Sequence, residues 1–490
     1  MNHPSSRTGR HLLTGTIRIF LAEALILPTG FITAVFLARS LGPAGYGMFA
    51  LVSRLILWIE WSSIAGFSGT TIKFIGESSD WRPIGATAMR LHFIVGIGAA
   101  ALLWLFASPL SSLFDEPTMA GYIKLFAIEI PILSIASACS SILVGTGHYK
   151  EKARISTARW IARLILIIMF VEMGLSVNGA ILGSIGATLV ELIISWYYVR
   201  PAFFSGNSFP LRRLLNFGAP LFMSELCQRV FRLDLFALKA LGATAAQAGF
   251  YGAAMNLSIP PTMFSRSFSP PLLSTLSNLL SNGEHSKAKE ISIISTRSII
   301  WLLPFAAMTV GSADEIVLFI FGKEYLPASP ILAFLIFAAI GLLAINISRA
   351  ILTALNKPGW TFILTGPMVP IALIGHLILI PLLGGIGAAV VTASVACLGA
   401  LVSLFTVYRI WNVFPPIKTL LISLVCSIFA FALSVLWPVS GLFLIPKLLV
   451  IIFVVLLILW VLGEFTTREV IFIRSVFHWR VTIKQNKENY

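Results

Sequence analysis

The stretch Leu37-Ala38-Arg39-Ser40-Leu41-Gly42 ends an apolar run, and the similar stretch Leu238-Lys239-Ala240-Leu241-Gly242 ends another apolar run 200 residues later. A Tyr-Gly pair follows each stretch, at Tyr46-Gly47 in the first case and at Tyr251-Gly252 in the second. The shared order of these short motifs predicts that one structural unit occurs twice in the chain.

Two more landmarks repeat at a similar spacing. Gly145 and Asn356 each open a basic loop and are 211 residues apart, and Gly179 and Gly384 each start an apolar run and are 205 residues apart. Because each predicted unit holds an even number of spans, the two units share one orientation about an axis along the membrane normal. Pairs of this kind rock about a shared cavity in transporters, so the repeat points to transport.

The composition is that of a membrane protein. Of the 490 residues, 57% are hydrophobic and 11% are charged, and the mean hydropathy is +0.92. A soluble domain has about 45–50% apolar and about 25% charged residues. The scarcity of polar residues excludes a chain of soluble domains, and the abundance of apolar residues excludes intrinsic disorder. Runs such as 448–461 are continuously apolar and lack the alternation of a β-barrel strand.

Apolar runs of about 20 residues, long enough to cross the hydrocarbon core as helices, recur along the chain. They predict an all-α polytopic membrane protein with about fourteen transmembrane helices. We expect two pseudo-symmetric six-helix bundles around a central cavity, plus two extra C-terminal helices. The predicted domains are residues 1–205, their repeat 206–412, the extra helices 413–465 and a basic cytoplasmic tail 466–490. The predicted spans are 14–38, 46–72, 85–107, 120–144, 157–176, 179–199, 213–240, 249–277, 290–312, 329–353, 361–381, 385–408, 418–438 and 442–463.

The 35 Lys and Arg residues exceed the 20 Asp and Glu residues, which gives a net charge of +15. With the N-terminus inside, 26 of the 35 lie on the cytoplasmic side and five lie outside, an asymmetry that orients membrane proteins. Both termini are therefore expected in the cytoplasm, and the first apolar run is expected to be an uncleaved helix. Anionic lipids account for the basic excess, so no nucleic-acid partner is expected. The remaining four cations, inside predicted spans, are Arg54, Arg229, Arg232 and Arg266.

Motifs for catalysis are missing from the sequence. It has no GxxxxGK[ST] phosphate loop, no His, Cys or Asp cluster with metal spacing, and no CxxC pair among its four cysteines. The longest outer loop, near 313–329, holds three carboxylates and is interpreted as a short surface loop. We therefore expect a transporter without cofactor, metal or disulfide, and not an enzyme.

Ionisable residues at membrane depth are costly and usually face a bundle interior or a wet cavity. In the predicted span 213–240, Glu225, Arg229 and Arg232 fall within one narrow helical stripe, and Asp234 points to the opposite side. This stripe is either a cationic cavity wall or an internal ion pair between Glu225 and Arg229 that joins two helices.

A second stripe contains Arg54, Trp58 and Trp61, with Glu60 to one side. Arginine suits bidentate binding of phosphate, and aromatic faces pack on sugar rings. This stripe is interpreted as a wall of the substrate cavity. The alternative is that the tryptophans face lipid.

Two further arginines have ambiguous settings. Arg266 lies between the pairs Pro260-Pro261 and Pro270-Pro271, which must kink or break their helix. Such a break marks a substrate path or a hinge, or it is a kink forced by packing. Arg18 either adds a cation at the inner mouth of the cavity or extends to the lipid headgroups.

Single carboxylates inside the predicted spans are candidates for ion coupling. Glu23, Glu60 and Asp234 form this group, and Glu129 is a further candidate. Paired structural roles are the alternative for each of them.

The stretch from Phe36 to Gly47, with the letters FLARSLGPAGYG, resembles the polysaccharide-transporter families of the multidrug/oligosaccharidyl-lipid/polysaccharide exporter (MOP) superfamily. Lys73-Phe74-Ile75 at the end of the second span fits the same pattern, as do the turn at Gly145 and the helix starts described above. This resemblance implies two V-shaped six-helix bundles with a central cavity. It also implies that cavity arginines hold a pyrophosphate, for which Arg54, Arg229, Arg232 and Arg266 are the matching residue types.

The resemblance further implies a Wzx-like flippase that carries undecaprenyl-pyrophosphate-linked oligosaccharide across the bacterial inner membrane by alternating access. Its cargo would be a repeat unit of O-antigen in lipopolysaccharide, capsule or exopolysaccharide. Membrane lipids, a polysaccharide polymerase and chain-length machinery are the expected partners. The alternative is a cation-coupled multidrug exporter of the same architecture, whose cationic substrates an arginine-rich cavity would repel.

Overall fold

The structure, a computed structural model, describes residues 25–76, 78, 80–200, 209–216, 233–357 and 359–464. Within these ranges nine segments are helical, long and apolar enough to cross a membrane, so the chain is a multi-pass membrane protein. The helices are α1 Ile26–Gly76, α2 Arg82–Leu113, α3 Met119–Phe126, α4 Glu129–Gly145, α5 Tyr149–Phe170, α6 Ser176–Val199, α7 Asp234–Ala240, α8 Ala245–Leu257, α9 Ile259–Ser281, α10 His285–Ile300, α11 Leu303–Gly311, α12 Ala313–Ile320, α13 Ala328–Ala354, α14 Gly359–Thr365, α15 Met368–Trp411, α16 Ile417–Leu436 and α17 Leu444–Val461.

The helices follow the apolar runs of the sequence. α1 covers residues 26–38 of the first predicted span and all of the second, and it bends at Gly42, where φ is 67°. The predicted span 249–277 is divided at Ser258 into α8 and α9, which confirms a break at Pro260-Pro261. The second pair, Pro270-Pro271, lies inside α9 and does not divide it. The predicted span 213–240 lies mostly outside the described residues. The exact number of fourteen spans therefore stays a prediction.

The chain reverses direction between the helices α5 and α6, at a turn that contains a residue with positive φ. α5 and α6 join through a short π-helix, Val171–Leu175, and a turn at Ser176, where φ is 47°. A Cβ on Gly183 would lie 2.6 Å from the Ile167 Cα, and one on Gly179 would lie 2.7 Å from the Phe170 carbonyl oxygen. Gly179 lies against Phe170, and Gly183, farther along α6, lies against Ile167, which is earlier in α5. The helix α6 therefore packs antiparallel against α5. Their close contact depends on glycines without side chains.

Positive φ angles recur in the same order in the two predicted halves. Ser176 and Gly384 share nearly the same backbone conformation, with ψ at −130° and −131°. The matching pairs, separated by 200 to 212 residues, are Gly42 and Gly242, Asp115 and Gly322, Gly147 and Asn356, Ser176 and Gly384, and Arg200 and Asn412. This recurrence supports the internal repeat, and the domain boundaries drawn from the sequence stay predictions.

By packing, the helices fall into two compact units. Among the described residues, the first unit contains those up to Asn256 together with Leu373–Val391, and the second contains Leu257–Ala372 and those from Thr392 to Glu464. In the first unit, the ends of α1 and α4 and the start of α2 share a core that includes Phe74, Ile142 and Met89. In the second unit, α13 is the central helix, and most of its apolar side chains are buried.

Within the first unit, α1 and α8 run side by side with their backbones in contact. A Cβ on Gly47 would lie 1.9 Å from the Ala245 carbonyl oxygen, and one on Gly249 would lie 2.1 Å from the Pro43 carbonyl oxygen. Farther along both helices, a Cβ on Gly252 would be 3.3 Å from the Ala50 Cβ. Gly47, Ala50 and Arg54 lie beside Gly249, Gly252 and Met255 in that order, so the two helices are parallel. We call this contact, between residues 43–54 and 245–256, the α1–α8 seam.

The hairpin of α16 and α17 belongs to the second unit and packs on α11. Its apolar contact comprises Met308, Cys426, Ala430, Ile451, Val455 and Leu459. At one end, the Lys447 Nζ donates to the Glu315 Oε2 and, at 2.7 Å, to the Ser434 carbonyl oxygen. At the other end, the Glu464 Oε2 accepts from the Arg297 Nε at 3.2 Å and from the Thr419 Oγ1 at 2.8 Å. An ion pair therefore holds each end of the hairpin.

These contacts correct one assignment made from the sequence and add a detail to another. The sequence places Glu315 in a short surface loop and counts Lys447 among the five cations at the outer ends. In the structure Lys447 has 0% exposed surface, because its ammonium group pairs with the Glu315 carboxylate instead of with water. Glu315 lies on the short helix α12.

Substitution of Gly47 by alanine tests the α1–α8 seam. The added methyl group would meet the backbone of α8, which cannot move away as a side chain can. We expect G47A to reduce stability by about 1–3 kcal/mol, measured as a lower midpoint of thermal unfolding in detergent. The control is G30A on the same helix, where a Cβ would meet nothing within 4 Å. Equal midpoints for G47A and the wild type would show that the seam is not close-packed.

Substitution of Glu464 by glutamine tests the ion pair at the end of the hairpin. The Arg297 guanidinium is 10% exposed and would lose its counter-charge, so we expect a loss of about 3–5 kcal/mol in unfolding free energy. The double variant E464Q/R297Q should recover part of that loss, because it removes the uncompensated charge. Thermal unfolding in detergent measures both. A double variant less stable than E464Q would contradict the assignment.

Candidate functional site

Arg54 lies on the α1–α8 seam. Its Nη2 is 3.1 Å from the Met255 Sδ, and the Asn256 Nδ2 donates to the Tyr46 hydroxyl at 2.7 Å. Trp58 follows one helical turn after Arg54 and is half-buried, as Arg54 is. The helix α1 thus brings a cation and an aromatic ring onto one face, near the hydrogen bond between Tyr46 of α1 and Asn256 of α8.

Several residues predicted for the substrate site lie beyond what the structure describes. Arg18, Glu23, Glu225, Arg229 and Arg232 are outside the described residues, and so are the side chains of Trp61 and Arg266. The substrate site predicted from the sequence therefore stays a prediction as a whole, and the structure places only its members Arg54 and Trp58.

Asp234 begins α7 and is held by neighbours within the first unit. Its Oδ1 accepts from the Leu235 backbone N–H at 3.0 Å, and its Oδ2 accepts from the Tyr251 hydroxyl at 2.8 Å. Tyr251 is fully buried. These bonds join the start of α7 to α8, and the proposed role of Asp234 in ion coupling stays a prediction.

Glu60 points into the interior of the first unit and is 1% exposed. It interacts electrostatically with Glu129 of α4, Arg159 and Arg163 of α5, and Glu191 of α6. Its Oε1 has no hydrogen-bond partner among the residues that the structure describes. The sequence singles out Glu60 as a lone carboxylate, whereas the structure makes it one member of a buried group of charges.

Arg159 is the centre of this group. Its Nη1 is 2.9 Å from the Glu191 Oε2, and its Nη2 is 3.9 Å from the Glu129 Oε1. The Lys152 Nζ lies 3.9 Å from the Glu191 Oε1, and the Thr188 Oγ1 donates to the Glu129 Oε1 at 2.5 Å. All three carboxylates are at least 95% buried. We call Glu60, Glu129, Lys152, Arg159, Arg163 and Glu191 the charge cluster.

A cavity of about 240 Å³ adjoins the charge cluster inside the first unit. Its lining is rich in hydroxyl groups and contains three charged side chains of the cluster. The lining residues are Ser68, Ile72, Ser137, Ser140, Ser141, Val144, Lys152, Arg159 and Glu191. A space of this size and polarity holds several water molecules.

The sequence pattern does not reveal the charge cluster, because it counts Arg159 and Arg163 among the cytoplasmic cations, although both fall at the start of the predicted span 157–176. α5 begins at Tyr149, eight residues earlier, so Arg159 lies about 15 Å into the helix. The signal available in the sequence is the i,i+4 spacing of Arg159 and Arg163, which puts both on one face of a helix. Two carboxylates on neighbouring spans, Glu129 and Glu191, are their counter-charges.

In the described ranges, no group of three or more His, Cys, Asp or Glu side chains has an arrangement that could hold a metal ion. Arg159 is paired with the carboxylates that would otherwise be free to coordinate one. The chemistry that these residues offer is the exchange of ion-pair partners and the binding of protons.

Comparisons with known proteins agree with a polysaccharide transporter. The chain matches the model of the polysaccharide biosynthesis protein family over residues 36–330. It is 25% identical over 393 residues to the probable low-salt glycan biosynthesis flippase Agl15 of Haloferax volcanii, covering 78% of this chain and 80% of that protein. It is 22% identical over 329 residues to the succinoglycan biosynthesis transport protein ExoT of Rhizobium meliloti, covering 66% and 63%.

Solved structures show the same fold. The lipid II flippase MurJ in an inward closed conformation superposes with a TM-score of 0.73 and 16% identity, over 94% of this chain and 100% of that one. An inward-facing multidrug resistance MATE family transporter of the MOP superfamily gives a TM-score of 0.64 and 14% identity, over 79% and 94%. Since the family model covers more than half of the sequence, this multi-pass membrane protein belongs to the polysaccharide biosynthesis protein family.

Proposed function

We propose that this protein is a flippase for lipid-linked oligosaccharides, which moves an undecaprenyl-pyrophosphate-linked repeat unit across the bacterial inner membrane. The names of its relatives support this proposal, since they describe a glycan biosynthesis flippase and a succinoglycan transport protein. The observation that carries it is Arg54 on the α1–α8 seam, half-buried one turn before Trp58.

Arg54 and Trp58 have the chemistry that this substrate requires. A guanidinium forms two parallel hydrogen bonds to a phosphate and stays charged at any physiological pH. The indole ring one turn farther along offers an apolar face on which a sugar can pack. We propose that Trp61, Glu225, Arg229, Arg232 and Arg266 complete this site and that Arg18 lies at its inner mouth. The prenyl chain would remain in lipid.

Alternating access is the proposed mechanism. Two six-helix bundles, residues 1–205 and 206–412, would rock about a central cavity, with 413–465 as two additional helices. In this scheme the α1–α8 seam joins the second span of one repeat to the matching span of the other. Both termini would lie in the cytoplasm, and a polysaccharide polymerase and chain-length proteins would act on the exported glycan.

The energy would come from an ion gradient or the membrane potential, because the sequence lacks a phosphate loop for ATP. Glu23, Glu60 and Asp234 are the proposed ion-coupling residues. Of these, Glu60 has the setting that coupling needs, since it is buried beside both carboxylates and guanidinium groups.

A cation-coupled multidrug exporter is the second candidate, favoured by the similarity of the fold to a multidrug resistance MATE transporter. A cavity that contains more arginines than carboxylates would repel cationic drugs. We expect overproduction of the protein to leave the tolerance of cells to cationic dyes unchanged. Raised tolerance that R54A abolishes would favour the exporter.

Substitution of Arg54 tests the substrate site. A lost hydrogen-bonded contact to a charged group costs about 1.5–3 kcal/mol, so we expect R54A to slow glycan export at least about tenfold. R54K should restore only part of the rate, because lysine lacks the bidentate fork. The measurement is surface polysaccharide in a strain that lacks its own copy of the gene, with lipid-linked oligosaccharide counted in the membrane.

The matched control is R154A, which removes an exposed arginine of α5. It should export glycan at the wild-type rate. Normal export by R54A, at equal protein level in the membrane, would remove Arg54 from the substrate site.

A further inference from the structure

The charge cluster has features that an inert structural ion pair does not need. Its members come from four helices: Glu60 from α1, Glu129 from α4, Lys152, Arg159 and Arg163 from α5, and Glu191 from α6. Three carboxylates face three cations, so the cluster is electrically balanced when all are ionised. A static balance of this kind could be replaced by apolar packing without loss of stability.

Arg159 has two alternative partners. Its guanidinium is in contact with Glu191 at 2.9 Å and only within 3.9 Å of Glu129. A proton on Glu191 would cancel the charge that holds Arg159 and leave Glu129 as its stronger partner. A proton on Glu129 would have the opposite effect. The position of one side chain therefore depends on which carboxylate is protonated.

A proton fits the cluster better than a metal cation does. A metal ion would have to displace a guanidinium from Glu191 or Glu129 and would bring a second positive charge close to Arg159 and Arg163. A proton needs no coordination shell. The Glu60 Oε1, which has no hydrogen-bond partner among the described residues, can accept one without breaking any contact.

The cavity supplies a route to the cluster. Lys152, Arg159 and Glu191 line part of it, and the rest is lined by residues of α1 and α4, four of which are serines. Ser140 is 8% exposed, and its hydroxyl oxygen has no hydrogen-bond partner within the described ranges. A buried hydroxyl group without a protein partner indicates bound water. Water in this cavity would conduct protons to Glu191.

The cavity lies near the ends of α1 and α4 and the start of α5, the side that charge asymmetry predicts to be cytoplasmic. Glu129, at the first residue of α4, is deeper. From Lys152 to Arg159 the helix rises by about 10 Å, so the charges form a path from the cavity mouth toward the membrane interior.

We propose that Glu60, Glu129 and Glu191, linked by Arg159, form a proton-binding site inside the first unit, which the serine-lined cavity connects to the cytoplasm. This inference deepens the proposed function, because it names the coupling ion and its route. The other titratable groups near the site are Lys152 and Arg163 of α5, Cys139 of α4, which faces Glu191, and His92 of α2, which packs edge-on against Phe67 of α1.

Proton binding is measured without any glycan. Purified protein in proteoliposomes on a solid-supported membrane is exposed to a rapid drop from about pH 7.5 to about pH 6, and the displaced charge is recorded. We expect E129Q and E191Q to reduce this charge at least about twofold, since each removes one interacting proton acceptor. E172Q is the control, because Glu172 is an exposed carboxylate at the far end of the same helical hairpin.

The route is tested by thiol labelling in a variant without native cysteines. S140C should react with a membrane-impermeant maleimide in inverted vesicles and not in intact cells. The matched control restores Cys139 alone, which is its neighbour in sequence, is fully buried and does not line the cavity. It should stay unlabelled from both sides.

Any of three results would overturn the proposal. One is wild-type charge displacement in both E129Q and E191Q. Another is a charge displacement that follows Na⁺ at constant pH. The third is failure of S140C to react from the cytoplasmic side, which decides the matter even where the glutamine variants do not fold. Neither measurement uses a substrate, so a negative result would reject the proton-binding site alone. Normal glycan export by R54A would bear on the proposed function alone.

Discussion

The contact between the backbones of α1 and α8 is the constraint on which the rest of the first unit depends. In a membrane, apolar side chains gain little from leaving lipid, so helices associate through close packing of small residues and through polar contacts. Gly47 and Gly249 allow the carbonyl groups of one helix to touch the other, and this fixes how the two helices align. Arg54 owes its position beside Met255 to that alignment.

Buried charge is used in two ways in this chain. The pairs Lys447–Glu315 and Arg297–Glu464 of the second unit each join one cation to one carboxylate, and hydrogen bonds from their surroundings complete both pairs. Lys239 and Glu116 of the first unit also form a pair of one cation with one carboxylate. In the first unit Arg159 lies between two carboxylates of unequal distance. A pair with one fixed partner has one stable arrangement, whereas a cation with two candidate partners has two. The first pattern suits a rigid support and the second suits a switch.

Much of the fold could be predicted from the sequence because the bilayer imposes a strict rule on length and polarity. The apolar runs and the glycine landmarks are visible without any structure, and the landmark at Gly384 proves to be a turn with positive φ. The charge cluster could not be predicted, because Glu129 and Glu191, which meet Arg159, lie on other helices, and the sequence does not show that these helices pack against α5. Basic residues at a helix start look alike in sequence whether they meet water, lipid headgroups or a carboxylate of the next helix.

The two ion pairs of the C-terminal hairpin also limit how such a chain can change in length. Arg297 and Glu315 belong to helices of the second unit, whereas their partners Glu464 and Lys447 belong to the added segment. A chain cut after Asn412 would keep both inner members of these pairs and lose both outer ones. Each would then lie at an apolar surface newly exposed to lipid, with no counter-charge. A shorter relative with only the repeated part would therefore need neutral residues at both positions, so loss of the hairpin and change of these two residues must occur together.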